Sequence, residues 1–245
     1  MNIKVIVNPS SGHRNAQNSV LKLLEKLKND KSIENIDIFH TKGKNDAFFE
    51  VLNNNNRNTD LIVASGGDGT INEVVNGLVK GGHETPLAIY PAGTANDFAN
   101  HIGMSLNADE FLQTLKVRKI FKSDVGLIGE SYFINVASGG LLTEIAHNVS
   151  PKAKSVLGHM AYLIEGAKEL ALSPDLKSVK LKFKSAQKSI EDDVLLFIVS
   201  NSSRVGGFNF VSPKADIADG LLDVLILHKQ NIAEMINLFI QLNGG

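Results

Sequence analysis

Asp68 is the one charge in a run of glycines, Ser65-Gly-Gly-Asp-Gly-Thr70. Glycine adopts positive φ freely and lets main chain come close to a ligand, so Gly66, Gly67 and Gly69 suit a phosphate cradle. A carboxylate there could hold Mg²⁺ against phosphates or orient an accepting hydroxyl. The alternative is a turn aspartate capping its own backbone. The flanks say what positions it. Leu61 to Ala64 is an apolar run too short for a helix, as expected of a strand buried on both faces. After the glycines, Ile71, Val74, Val75 and Leu78 form one apolar helical stripe, and Thr70 with Glu73 has the spacing of a capping box. Strand, glycine turn and helix N-terminus together make an anion site. The order is neither G-x-G-x-x-G nor the P-loop.

Further candidates lie along the chain. Asn8-Pro-Ser-Ser-Gly12 offers the backbone and hydroxyl donors of a phosphate loop, or is a plain proline turn. In Pro91-Ala-Gly-Thr-Ala-Asn-Asp-Phe98, Asn96 or Asp97 suits a helix N-cap. Asp124 at a strand start reads as a surface charge. Asp216 and Asp219 beside Gly220 suit a hard cation, or a hairpin turn at Asp219-Gly220. The seven histidines show no metal spacing. His13 and Arg14 read as exposed helix-start residues.

The positioning elements follow from periodicity. Strands are expected at Ile3–Val7, Ile36–Phe39, Asp60–Ala64 and Pro86–Tyr90. Helices are expected from Asn15 to Lys28 (Val20, Leu24 and Leu27 inward), from Asp46 to Leu52, after the glycine turn, and up to Asn100. This alternation implies a doubly wound parallel sheet. Its three glycine-bearing strand ends, Asn8–Gly12, Ser65–Thr70 and Pro91–Asp97, then point to one side. After about Lys122 the strands Asp124–Ile128, Tyr132–Ala137, Val179–Phe183, Val194–Ser200 and Leu222–Leu227 imply an antiparallel sandwich. Helices are expected within it over Lys154–Leu172 and at its end over Asn231–Leu242. The expected domains are 1–122 and 123–245.

Composition excludes several classes. Hydrophobic residues make up 43%, enough for real cores, and there is no cysteine for disulfides, thiolate sites or thiol nucleophiles. No apolar run reaches membrane-spanning length. A net charge of −1 gives no global field for nucleic acid. From Pro151 to Lys188, however, eight lysines face three acids. Lys180, Lys182 and Lys184 alternate with Val179, Leu181 and Phe183. That predicts a basic strand face which, with Lys152 and Lys154, could meet an anionic membrane.

Ser65–Thr70 followed by Asn72-Glu73 resembles the diacylglycerol kinase catalytic domain family, although NAD kinases and phosphofructokinases carry a related turn. The resemblance extends through Asn8–Gly12, Pro91–Phe98, Asp124-Val-Gly126, the Gly206-Gly207-Phe208 turn and Asp216–Asp223, in the family's order. It implies ATP-dependent, Mg²⁺-assisted phosphorylation of diacylglycerol or a similar lipid. NAD kinase and a non-catalytic nucleotide-binding regulator are the alternatives. It implies nucleotide contacts at Asn8, Pro9, Ser10, Ser11 and Gly12, at Thr41, at Gly66, Gly67, Asp68, Gly69, Thr70, Asn72 and Glu73, and at Gly93, Thr94 and Asn96. Asp68, Asp97 and Asp124 would form an aspartate–water–magnesium network. A structural metal would take Asp219 by side chain, Leu221 by carbonyl and Asp216 by either. The implied location is cytoplasmic, peripheral at the inner membrane face.

Lipid kinases of this family carry a later Asp-Gly-Glu segment whose acid is taken as the general base. That triplet is absent from these 245 residues. The expectation is a truncated chain that binds ATP·Mg²⁺, transfers phosphate roughly 10²–10⁴-fold less well, and exposes strand edges that pair with another chain, a homodimer included.

Overall fold

A computed structural model describes residues 1–53, 58–140, 178–186, 188–206 and 214–228. The helices expected at 154–172 and 231–242, and residues Lys152, Lys154, Gly207 and Phe208, lie outside the described residues. By compactness the chain divides into two units, Met1–Asn135 with Asn201–Leu221, and Val136–Ser200 with Leu222–Gly245.

The first unit is built on four parallel strands, β1 (Asn2–Val7), β2 (Asn35–His40), β3 (Leu61–Gly66) and β4 (Leu87–Pro91), in the order β2-β1-β3-β4. Helices α1 (Arg14–Asn29), α2 (Asp46–Asn53), α3 (Asp68–Gly81), α4 (Asp97–His101) and α5 (Ala108–Val117) cover it. Successive side chains on a strand face opposite ways, and the core divides accordingly. Ile3, Val5, Val7, Val63 and Tyr90 pack with α1 and α5 through Val20, Leu23, Leu27, Phe111 and Leu115. Ile6, Ile62, Ala64 and Ile89 pack with α2, α3 and α4 through Val51, the stripe Ile71, Val74, Val75 and Leu78, and Phe98. In α1, Leu23 takes the buried position and Leu24 packs at the margin. Helix α5 was not expected. Asn107 caps it, accepting the N–H groups of Asp109 and Glu110 at 2.9 and 3.4 Å.

Lys4 and Tyr90 carry polar groups into this layer. Lys4 is only 2% exposed and donates to Asp37 at 2.6 Å and Glu50 at 2.5 Å. Burial works to lower its pKa, but hydrogen bonds and charge from Asp37 and Glu50 outweigh that and hold it above the ordinary lysine value. Tyr90 is fully buried, with its hydroxyl 2.5 Å from the Leu106 carbonyl and 3.2 Å from that of Ser19. Burial pushes its pKa up to about 12.

Register brings the carboxyl ends together. Val7 pairs with His40 and Ser65, and Gly66 pairs with Pro91. The chain runs from β1 outward to β2, then returns to β3 on the other side of β1. The switch point therefore lies between β1 and β3.

A short ribbon completes this unit. The expected strand Tyr132–Ala137 is broken into β6 (Ser131–Phe133), paired with β5 (Gly126–Ile128), and β7 (Val136–Gly140). Asn76 of α3 holds the ribbon. It donates to the Tyr132 carbonyl at 2.7 Å and accepts the Tyr132 N–H at 2.8 Å, so one side chain stands in for a neighbouring strand.

In the second unit β7, β8 (Val179–Lys184), β9 (Ser189–Ser200) and β10 (Asp223–His228) form an antiparallel sheet around β9. The fold is thus the expected one, a doubly wound parallel sheet followed by an antiparallel sheet. β9 begins five residues before its expected start and includes Glu191, Asp192 and Asp193, types depleted from strands. Cross-strand pairing explains this, since Lys180 stands opposite Asp193 and Lys182 opposite Glu191.

Candidate active site

The loops at the carboxyl ends of β1, β2 and β3 enclose a cleft of about 360 Å³. Asn8, Ser10 and Ser11 line it from β1. Thr41, Lys42, Gly43 and Lys44 line it from β2, and Gly67, Gly69, Thr70 and Glu73 from the start of α3. Asn8 organises the first loop. It accepts the Ser10 N–H at 3.0 Å, its carbonyl accepts the Ser11 hydroxyl at 2.8 Å, and its amide donates to Thr70 Oγ1 at 2.8 Å. That last bond bridges the switch point.

The expected capping box does not form. Helix α3 begins at Asp68 with Gly67 at the cap position and no side-chain cap. Because the helix starts directly after the strand, Thr70 already lies inside it and takes the Asn8 amide. The Glu73 carboxylate instead accepts the Asn45 N–H at 2.9 Å, tying α3 to the loop after β2. With glycine at the cap, no cap side chain bonds the first N–H groups of α3, and Gly67, Gly69 and Thr70 line the cleft there.

The glycines divide by cause. At Gly12, φ is +71° and an added Cβ would sit 2.1 Å from the Ala92 carbonyl oxygen. At Gly93, one would sit 2.3 Å from the Gly67 Cα. These contacts lock the Asn8–Gly12 and Gly66–Gly67 turns against the Pro91–Asn96 loop. Gly69 has no such neighbour within 4 Å and faces the cleft.

Behind the cleft lies an acid pair. Asp68 is half-buried and accepts backbone N–H groups of Asn96, Asp97 and Phe98 at the start of α4. Burial first, then the charge of Asp97, raises its pKa above the ordinary aspartate value despite those bonds. Asp97 is 5% exposed and accepts the Gly206 N–H at 2.7 Å. Asn96 sits at the α4 cap position in the left-handed region, φ 52°, but caps nothing. Its amide closes its own loop, accepting from Gly93 N and donating to the Pro91 and Gly93 carbonyls. Gly93, Thr94 and Asn96 therefore flank the cleft without lining it, and Pro9, Gly12, Gly66 and Asn72 also stand outside its wall.

Asp124 belongs to another cluster. Its N–H donates to the Ile217 carbonyl at 2.6 Å, and its carboxylate accepts the Gly220 N–H at 2.7 Å. Asp216 and Asp219 each close a turn of the same loop, accepting from Ala218 and Leu221 at 3.0 and 2.9 Å. Asp219-Gly220 is not a tight hairpin, since β9 and β10 are separated by residues 201–222. Among the described residues, no three acids or histidines converge as a metal site. Lys42 and Lys44 were not singled out in the sequence. Their signal is position, in Thr41-Lys-Gly-Lys44 at the end of a strand beside two glycine-bearing ends.

Comparison with known proteins agrees with this architecture. Residues 2–128 match the Diacylglycerol kinase catalytic domain, and residues 135–245 match the YegS C-terminal NAD kinase beta sandwich-like domain. A diacylglycerol kinase of Bacillus subtilis (strain 168) is 35% identical over 237 residues, 95% of this chain and 76% of that protein. One from Staphylococcus saprophyticus is 31% identical over 232 residues, 95% of this chain and 74% of that protein. A solved structure of a diacylglycerol kinase from Bacillus anthracis strain Sterne superposes with a TM-score of 0.79 at 25% identity, covering 99% of this chain and 80% of that one. The chain belongs to the diacylglycerol kinase catalytic domain family.

Proposed function

We propose that this chain is an ATP-dependent lipid kinase that moves the γ-phosphate to the free hydroxyl of diacylglycerol, giving phosphatidic acid. The observation that carries the nucleotide reading is Gly69. Glycine inside a helix costs about 1 kcal/mol relative to alanine, and apart from its chain neighbours and its own helix backbone nothing lies within 4 Å of a Cβ placed there. The cleft beside Gly67, Gly69 and Thr70 at the start of α3 suits a phosphate. Asn8, Ser10 and Ser11 of the first loop line the same space.

Phosphoryl transfer rests mainly on positioning and charge neutralisation. The bond between the γ-phosphorus and the β–γ bridging oxygen breaks, its electron pair staying on ADP, a bond to the lipid oxygen forms, and the hydroxyl proton passes to solvent water. Magnesium, when bound, supplies neutralisation of the phosphates. Asp68 and Asp97 fit the task of holding it, because a cation offsets the burial and, after it, the Asp97 charge that raise the Asp68 pKa. Family likeness adds Asp124 to that network. It also assigns a structural cation to Asp216, Asp219 and Leu221. The nucleotide contacts implied for the flanking Gly93, Thr94 and Asn96 belong to the same proposal.

The acceptor lipid resides in a bilayer, so the chain would work peripherally at an anionic surface. Among the described residues no helix is long and apolar enough to cross a membrane. The β8 lysines support surface attachment only weakly, because Asp193 and Glu191 stand opposite Lys180 and Lys182. Labelled ATP offered with diacylglycerol, sphingosine, undecaprenol and NAD in parallel tests the proposal. Label should enter diacylglycerol alone. Label entering NAD, or a different lipid in preference, rejects it.

A further inference from the structure

The loop from Thr41 to Asn45 carries two cations that the proposed chemistry leaves without a task. Lys42 and Lys44 are exposed on the wall of the cleft, and no ion pair found among the described residues involves either. Their main chain, by contrast, is fixed at several points. The Thr41 N–H bonds the Val7 carbonyl at 2.9 Å. The N–H groups of Lys42 and Gly43 both donate to Asp46 Oδ2, at 2.7 and 2.9 Å. Asn45, at φ 68°, donates to Glu73. A Cβ on Gly43 would meet nothing within 4 Å, just as at Gly69 across the cleft. The result is a pinned strap with two untethered ammonium groups, facing the N–H-rich start of α3. Two cations on one wall of the cleft favour an anion carrying more than one charge.

We propose that Lys42 and Lys44 take the terminal phosphates of the nucleotide, so that the cleft distinguishes nucleotides by phosphate number. Glu73 is then a positioning residue that aims the strap through Asn45. This rests on the nucleotide reading of the cleft. The lysine side chains donate hydrogen bonds to phosphate oxygens and form no covalent bond. Charge-assisted bonds of this kind are among the stronger ones in proteins.

Equilibrium binding of ATP, ADP, AMP and adenosine to the 245-residue chain tests it. Lys42→Ala/Lys44→Ala should weaken ATP binding by roughly tenfold or more, the scale of one or two charged hydrogen bonds, and leave AMP and adenosine nearly unchanged. The same pattern is expected of Lys42→Gln/Lys44→Gln. Melting temperatures should match the parent, since both side chains are exposed. Glu73→Ala should weaken ATP binding, and Glu73→Gln should restore it because an amide oxygen still accepts the Asn45 N–H. Parent-like ATP binding by both lysine variants, or equal losses for ATP and adenosine, overturns this proposal alone. A parent chain that binds none of the four overturns the nucleotide reading and this proposal with it.

Discussion

A methyl group added at Gly12 would lie 2.1 Å from the Ala92 carbonyl oxygen at a φ of +71°, whereas at Gly69 it would meet nothing within 4 Å. The two glycines should therefore fail differently. Gly12→Ala is expected to lower unfolding free energy by about 1–3 kcal/mol in urea titration, the range of backbone strain at such a site. Gly69→Ala should leave stability unchanged or raise it by up to about 1 kcal/mol while weakening ATP binding. Equal stability losses in both would remove the case for open space over α3. The glycines around Asp68 were legible as a pattern, but none of the three takes a positive φ, and only Gly66 is crowded, by Thr70. The roles of Thr70 and Glu73 were not legible. Their spacing matched a capping box, but whether a box forms depends on where the strand hands over to the helix. Lys42 and Lys44 were illegible for a similar reason, since only the strand order sets β2 beside β1.

At the scale of elements, Lys4 joins β1 to β2 and α2 through Asp37 and Glu50. Its folded pKa lies above the unfolded value, so its contribution is full below the ordinary lysine pKa of 10.5 and is lost as pH rises through the folded value. Lys4→Met should cost about 1–3 kcal/mol at neutral pH, the scale of hydrogen bonds to charged groups. The gap from the parent should close in urea titrations above pH 10.5. A gap that stays constant there would assign the loss to packing. The β8–β9 ladder makes a second prediction. Glu191→Gln/Asp193→Asn should cost under about 1 kcal/mol, as exposed pairs do, and should strengthen salt-sensitive binding to anionic vesicles, measured by sedimentation. Unchanged vesicle binding would mean that this face never meets the lipid. Apolar runs made β1, β3 and β4 legible, because these are buried on both faces, whereas the edge strand β2 mixes exposed and half-buried residues. The acidic start of β9 was hidden, since its lysine partners sit on another strand. Helix α5 was overlooked although Asn107 and its apolar Phe111, Leu112 and Leu115 carry the ordinary signals.

For the whole molecule, the order of motifs along the chain indicated both sheets and the family, because glycine turns, strand runs and acidic loops recur in one sequence order. It did not reveal that residues 201–221 group with the first unit, where Gly206 meets Asp97 and Gly220 meets Asp124. Such long-range pairings leave little local trace. Phosphoryl transfer to a lipid would be carried by the cleft with Asp68 behind it. Asp68 has a raised folded pKa, so its own contribution to stability is present at acid pH and lost as pH rises through that value. Asp68→Asn should therefore melt no lower than the parent near neutrality while losing transfer. The decisive measurement is γ-phosphate-labelled ATP with magnesium and diacylglycerol vesicles, parent and Asp68→Asn side by side. Label should appear in phosphatidic acid with the parent, slowly because these residues hold no Asp-Gly-Glu triplet, and fall by a further roughly 10²-fold or more in the folded variant, the scale of a lost preorganised electrostatic group. A parent that binds ATP yet leaves diacylglycerol unlabelled, or a variant that transfers label at the parent rate, contradicts the claim.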